Sequence, residues 1–120
     1  MCIVDDDSAV RGALAFSLEM DGVSVAVHER AAGLLEDPGL ATYGCLVIDY
    51  RLPVMDGLEL TTMLRSRGLA TPIIMITGRT SKALKVSARK AGVSRLIEKP
   101  LHGGELIRAI KALTRGKRAP

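Results

Sequence analysis

Apolar residues gather into five short runs, at 1–5, 23–27, 45–49, 73–77 and 94–98, and between them thin to the spacing of one helix face. Runs of that length, rich in Val and Ile, read as strands buried on both sides. Their alternation with helical stretches predicts a parallel sheet covered on both faces. The first helix follows Asp7 or Ser8 as cap, turns Val10, Leu14 and Leu18 inward and stops at Gly22. The second is short, about 30–37, and Pro38-Gly39 end it. The third starts near Asp56-Gly57, buries Leu60, Met63 and Leu64 and ends at Gly68. The fourth, about 81–91, buries some combination of Ala83, Leu84, Val86, Ala88 and Ala91; the fifth, about 104–114, buries Leu106, Ile107, Ile110 and Leu113. These βα units make one domain, expected over 1–114, with 115–120 as a tail or the start of a linker.

Right-handed crossovers leave few strand orders open to such a chain. The flavodoxin-like order 2-1-3-4-5 of a doubly wound (βα)5 sheet sets the first and third strands side by side, and ligands of open α/β sheets bind at the carboxyl ends there. Polar residues stand at those ends: Asp5-Asp6 after Ile3-Val4, Asp49 after Leu46-Val47-Ile48, Thr77 after Ile73-Ile74-Met75-Ile76, and Lys99-Pro100 after Leu96-Ile97-Glu98. Three carboxylates brought together repel one another by roughly 4 kcal/mol per close pair at an effective dielectric constant of about 20. A compensating cation is expected. Carboxylate, carbonyl and water oxygens suit Mg²⁺, with Mn²⁺ as substitute, and His28 and His102 lie outside the set, which argues against zinc. A screened Asp49 can attack a phosphorus centre and form an acyl phosphate, while Lys99 and Thr77 supply the positive charge and hydroxyl that phosphoryl oxygens need.

Composition changes this picture little. The chain has 120 residues, 48% hydrophobic and 25% charged, enough for one domain with a real core. No apolar run approaches the roughly 18 residues of a membrane span, and no signal peptide opens the sequence, so a cytoplasmic location is expected by default. The net charge of +4 permits nucleic-acid contact, but aromatic content of 2% leaves no base-stacking platform, and the basic residues are spread over several helices. Cys2 and Cys45 read as small buried hydrophobes; because their strands are expected to be neighbours, a slow adventitious disulfide stays open.

The motifs Ile3-Val4-Asp5-Asp6-Asp7, Asp49 with Leu52-Pro53-x-Met55-Asp56-Gly57, Ile76-Thr77-Gly78 and Glu98-Lys99-Pro100 together resemble the receiver domain of two-component response regulators, across essentially the whole chain. The triple acid followed by Ser8-Ala9-Val10-Arg11 is most similar to the branch typified by the nitrogen-fixation regulator. The resemblance implies that Asp49 accepts phosphate from a phosphohistidine on a sensor histidine kinase. It implies Mg²⁺ held by Asp6, Asp49 and the backbone carbonyl of Arg51, with Asp5 acting largely through water. Thr77 and Lys99 would contact the phosphoryl group, and the Lys99-Pro100 bond would be cis. The surface of the fourth helix, fifth strand and fifth helix would carry the signal to a DNA-binding output domain or a partner protein. The chain would regulate, with at most its own phosphorylation and dephosphorylation as catalysis. No helix-turn-helix domain lies within these residues, so the expectation is an isolated or stand-alone receiver.

The sequence departs from that pattern at Leu96, where relatives commonly carry an aromatic residue, and at Leu101, often Phe. Leu96 is expected to fill the space vacated by Thr77 with a smaller change in surface. Arg51 and Arg79 read as loop arginines flanking the phosphoryl position, and Arg79, Lys82, Lys85, Arg89 and Lys90 as a solvated basic face. A homodimer through that face would oppose like charges unless acids such as Glu98 or Glu105 answer them. The rival of another class is an aspartate phosphohydrolase of the haloacid-dehalogenase type, with Asp5 as nucleophile and Asp7 as acid-base.

Overall fold

The computed structural model describes residues 1–101 and 104–114. Five strands, β1 (Cys2–Val4), β2 (Ala26–His28), β3 (Leu46–Asp49), β4 (Ile73–Thr77) and β5 (Arg95–Glu98), alternate with five helices, α1 (Ser8–Met20), α2 (Ala31–Leu35), α3 (Gly57–Ser66), α4 (Lys82–Ala91) and α5 (Glu105–Thr114). Every strand pair is parallel, in the order β2-β1-β3-β4-β5. The flavodoxin-like (βα)5 class is therefore the one the chain adopts. His102 and the tail at 115–120 lie outside the described residues. Among the described residues no helix is long and apolar enough to cross a membrane.

The central strands are buried on both faces, as their unbroken apolar runs require. One layer joins Val4, Leu46, Ile48 and Ile73 to Leu34 of α2 and to Leu60 and Leu64 of α3. The other joins Ile3, Val47, Ile74 and Ile76 to Leu18 of α1 and to Leu106, Ala109 and Ile110 of α5. A smaller cluster, Met75 with Leu84 and Ala88, seats α4, and Leu96 packs against it. Cys2 belongs to the first layer and Cys45 to the second, so although their strands are neighbours the two thiols point to opposite faces. This rules out the disulfide that adjacency left open.

Most helix signals fall where the sequence puts them. Asp7 caps α1 by accepting from the N–H groups of Ala9 and Val10, and Gly22 (φ 82°) and Gly68 (φ 85°) follow the ends of α1 and α3. Asp56 and Glu59 form a reciprocal capping box at the start of α3. Inner stripes are narrower than expected: Val10, Leu14, Met63, Ile107 and Leu113 are half-buried, and Ala83 and Val86 face solvent. On α1 the apolar Phe16 and Met20 are exposed.

The stretch from β2 to β3 departs furthest. Strand β2 starts late, Val23 and Val25 packing against the α1/α5 layer before pairing begins. Helix α2 is shorter than the expected 30–37, and a 3₁₀ turn at Leu40–Thr42 precedes β3. The cause is Asp37: its carboxylate accepts from Gly39 N–H (2.7 Å) and the Tyr43 hydroxyl (2.6 Å) and lies 2.8 Å from His28 Nε2. Tyr43, His28 and Gly39 together hold the Asp37 carboxyl down at about 2. A carboxylate that organises its own turn in this way competes with helix continuation.

The loop joining β3 to α3 carries two backbone constraints of opposite kind. A Cβ on Gly57 would stand 2.8 Å from the Asp49 carbonyl oxygen and 3.0 Å from Tyr50 Cα, so α3 can approach the end of β3 only through glycine. Val54 has φ 71°, unfavourable for a β-branched residue, at the centre of a γ-turn closed by Met55 N–H on the Pro53 carbonyl (2.8 Å). Gly57→Ala is expected to destabilise the protein by about 2 kcal/mol through overpacking against backbone. Val54→Gly is expected to stabilise it by about 1 kcal/mol through relief of strain. Urea unfolding of both variants measures the pair, and effects of equal sign would refute this account of the loop.

Candidate functional site

The carboxyl ends of β1, β3, β4 and β5 bring the expected side chains to one rim. Asp5 follows β1, Asp49 ends β3, Thr77 ends β4 and Lys99 follows β5. One carboxylate oxygen from each of Asp5, Asp6 and Asp49 can be chosen so that all three lie within 4.8 Å of one another. Asp5 and Asp49 are buried, at 1% and 7% exposure, whereas Asp6 faces solvent.

Lys99 reaches into this cluster from the opposite side of the rim. Its Nζ donates to Asp49 Oδ2 at 3.1 Å and stands 3.7 Å from Asp5 Oδ2. The Lys99-Pro100 bond is cis. Asp49 Oδ1 also accepts from the Arg51 N–H at 3.2 Å, so the residue expected to offer its carbonyl touches Asp49 through its amide. Asp5 Oδ1 accepts from Asp7 N–H (2.9 Å), and Arg11, which the sequence did not single out, donates to the Asp5 carbonyl at 2.8 Å. The sequence carries no local mark of this Arg11 contact beyond its place one turn into α1.

The electrostatics are those of a site short of positive charge. Burial raises the Asp5 carboxyl; the Asp7 N–H and Lys99 oppose the rise and Asp49 adds to it, leaving Asp5 at about 6. Burial disfavours the Lys99 ammonium, but its bond to Asp49 and the charges of Asp49 and Asp5 lift it above its usual value. One ammonium serves two buried carboxylates. The donor set, all oxygen and over-acidic, fits a small hard divalent cation.

Thr77 is buried, and its hydroxyl is engaged within its own loop: it donates to the Arg79 carbonyl at 3.0 Å and accepts weakly from the Arg79 N–H at 3.4 Å. Arg51 and Arg79 are both exposed. Asp7, the acid-base of the rival reading, spends its carboxylate capping α1.

The Response_reg family model, described as the response regulator receiver domain, matches residues 1–111. The chain belongs to this family. The receiver is 40% identical over 110 residues to the transcriptional regulatory protein FixJ of Azorhizobium caulinodans, covering 92% of this chain and 52% of that protein. It is 38% identical to the response regulator protein TodT of Pseudomonas putida, covering 92% and 48%. It thus spans about half the length of these curated relatives. Among solved structures, FixJ-N superposes with a TM-score of 0.86 at 39% identity, over 99% of this receiver and 95% of that chain. The receiver is accordingly a phosphoacceptor switch of two-component type, related to transcriptional regulators, and the haloacid-dehalogenase reading finds no support.

The raised Asp5 carboxyl fixes a pH dependence in the absence of divalent metal. The folded state holds the Asp5 proton more tightly than the unfolded chain, so this contribution is complete below 3.8 and is lost as pH rises through about 6. The loss is on the order of 3 kcal/mol. Urea unfolding on either side of that window should show it in the wild type and not in Asp5→Asn, and added Mg²⁺ should recover stability at neutral pH. Identical pH profiles for the two proteins would refute the assignment.

Proposed function

We propose that Asp49 is the phosphoacceptor. Its carboxylate attacks the phosphorus of a phosphohistidine on a sensor histidine kinase; the P–O bond forms as the P–N bond breaks, and the imidazole, already protonated on its other ring nitrogen, leaves as the neutral ring. The observation that carries this reading is the Lys99 ammonium bonded to Asp49 Oδ2 beside two further carboxylates. Lys99 and the Thr77 hydroxyl then serve the phosphoryl oxygens.

Asp6, Asp49 and the Arg51 carbonyl would hold Mg²⁺, or Mn²⁺ in its place, with Asp5 contributing through water. The cation supplies neutralisation of charge on carboxylate and phosphoryl oxygens. Asp5 and Asp49 orient it, and Lys99 keeps the acceptor oxygen of Asp49 facing the rim. The roles assigned to these residues are charge balance and positioning, and the chemistry proposed for them is the gain and loss of the phosphoryl group.

The signal leaves through α4, β5 and α5 to a DNA-binding output domain beyond residue 120 or to a separate partner. FixJ's description as a transcriptional regulatory protein supports this, as does the share of its length that the receiver spans. A cytoplasmic location is part of the same proposal. Leu96, packed with Met75, Leu84 and Ala88, fills the place of the aromatic reporter and limits how far that surface changes.

Incubation with a small phosphodonor and Mg²⁺, followed by intact mass measurement, should show one added phosphoryl group on the wild type. Asp49→Asn should show none, and chelation of Mg²⁺ should abolish labelling of the wild type. A label mapped to Asp5, or labelling that survives chelation, would overturn the proposal.

A further inference from the structure

The loop between β4 and α4 is fastened to β5 by one carboxylate that the phosphoryl chemistry does not use. Glu98 Oε1 accepts the Thr80 N–H at 2.8 Å and the Thr80 hydroxyl at 3.1 Å. Thr80 immediately precedes Ser81, whose hydroxyl caps α4 by accepting the Leu84 N–H at 3.0 Å. Three residues earlier on the same loop stands Thr77, its hydroxyl given to the Arg79 carbonyl. Glu98 also directly precedes Lys99, the residue bonded to Asp49. One segment of β5 therefore grips the acceptor with one side chain and the loop with the next.

The two ends of α4 are held unequally. At its carboxyl end Gly92, in the left-handed region at φ 101°, gives its carbonyl to Arg65 Nε (3.1 Å) and Nη2 (2.8 Å), and Arg65 Nη1 also binds the carbonyls of Leu69 and Thr71. That end is fastened to α3 by a partly buried guanidinium. At the amino end the fastening is Glu98, which is exposed and open to competition from water. The weaker end is the one that adjoins the site.

We propose that the Glu98-Thr80 clasp holds the β4-α4 loop in its unphosphorylated arrangement, and so sets how readily Thr77 turns toward a phosphoryl group on Asp49. This rests on Asp49 being the acceptor. A phosphoryl oxygen can take the Thr77 hydroxyl only if the bond to Arg79 is given up. The loop then follows, and the clasp is what resists. The Thr80 N–H and hydroxyl, helped by the charges of Arg79 and Lys85, keep the Glu98 carboxyl below its usual range, which favours the ionised form that the clasp uses.

The test uses beryllofluoride with Mg²⁺ as phosphoryl mimic and the amide resonances of Gly78, Thr80 and α4 as reporter. In Glu98→Ala without ligand, these resonances should move along the line from the resting to the beryllofluoride-bound wild type. The beryllofluoride midpoint should fall by about threefold or more. Thr80→Val, which keeps the N–H bond, should move both readouts in the same direction by less. Should Glu98→Ala fail to fold, Glu98→Leu, which also removes both acceptor oxygens, and Thr80→Val carry the same two readouts. Arg65→Lys, which loosens the far end of α4, should lower stability without moving the loop toward the bound position. Unshifted loop resonances with an unchanged midpoint in folded Glu98 and Thr80 variants would overturn the clasp. A wild type that takes up no beryllofluoride would instead overturn the assignment of Asp49, because the ligand-free shifts of the Glu98 variants read the clasp independently.

Discussion

Two carboxylates on adjacent strand ends, buried together and answered by a single ammonium, set the terms for the rest of this molecule. The parallel register brings β1 and β3 side by side, so the residues after Val4 and Ile48 meet whatever their charge. Nothing in the hydrophobic layers beneath can move to relieve them, because those layers are filled by unbroken apolar strands. The strain is local and appears in the raised Asp5 carboxyl, which burial lifts first and Asp49 lifts further. On the function proposed above, a divalent cation would relieve it before a phosphoryl group brings further charge to Asp49.

That imbalance would stay at the rim if the surrounding loops were rigid. They are fastened with graded strength. The turn after β3 is fixed by the close approach of Gly57 to the backbone of Asp49 and Tyr50, and by the short-range capping box at Asp56 and Glu59. The turn after β4 is held by the Thr77 hydroxyl on the Arg79 carbonyl, by the Lys99 N–H on the Thr77 carbonyl and by the exposed Glu98 carboxylate. Motion follows the weaker fastening, and in this chain that lies over α4. Leu96 packs there with Met75, Leu84 and Ala88, so on the proposed function the loop and the amino end of α4 would carry the larger part of the response.

What the sequence made legible was whatever is encoded within a few residues. Apolar runs marked the strands because a strand buried on both faces needs no alternation. Asp7, Asp56, Gly22 and Gly68 marked helix ends because caps are local chemistry. The convergence of the candidate side chains on one rim was legible for the same reason, each lying at or just past the end of its strand. Long-range pairings were not. Asp37 gathers His28 and Tyr43 from either side of α2, which shortens that helix in a way no spacing announces. The cysteines looked adjacent along the sheet, yet the pleat sends Cys2 and Cys45 to opposite layers. Arg65 reads as an ordinary helix-surface charge until Gly92 is placed beneath it. Glu98 was visible in the motif around Lys99 and as an acid beside the basic face, but its partner Thr80 lies on a different strand's loop.

The clasp also bears on the basic face of α4. That helix carries Lys82, Lys85, Arg89 and Lys90 and no acid of its own. Two copies meeting through it would set like charges together, while Glu98, beside Arg79 and Lys85, already offsets part of that charge in the clasped state. Opening the clasp would leave the net charge of the face unchanged, because Thr80 is neutral and Glu98 carries its charge in either arrangement. It would instead free the carboxylate to pair directly with Arg79 or Lys85 and loosen the first turn of α4, so a partner selecting between the two states would read where the charges pair as well as the shape of the loop.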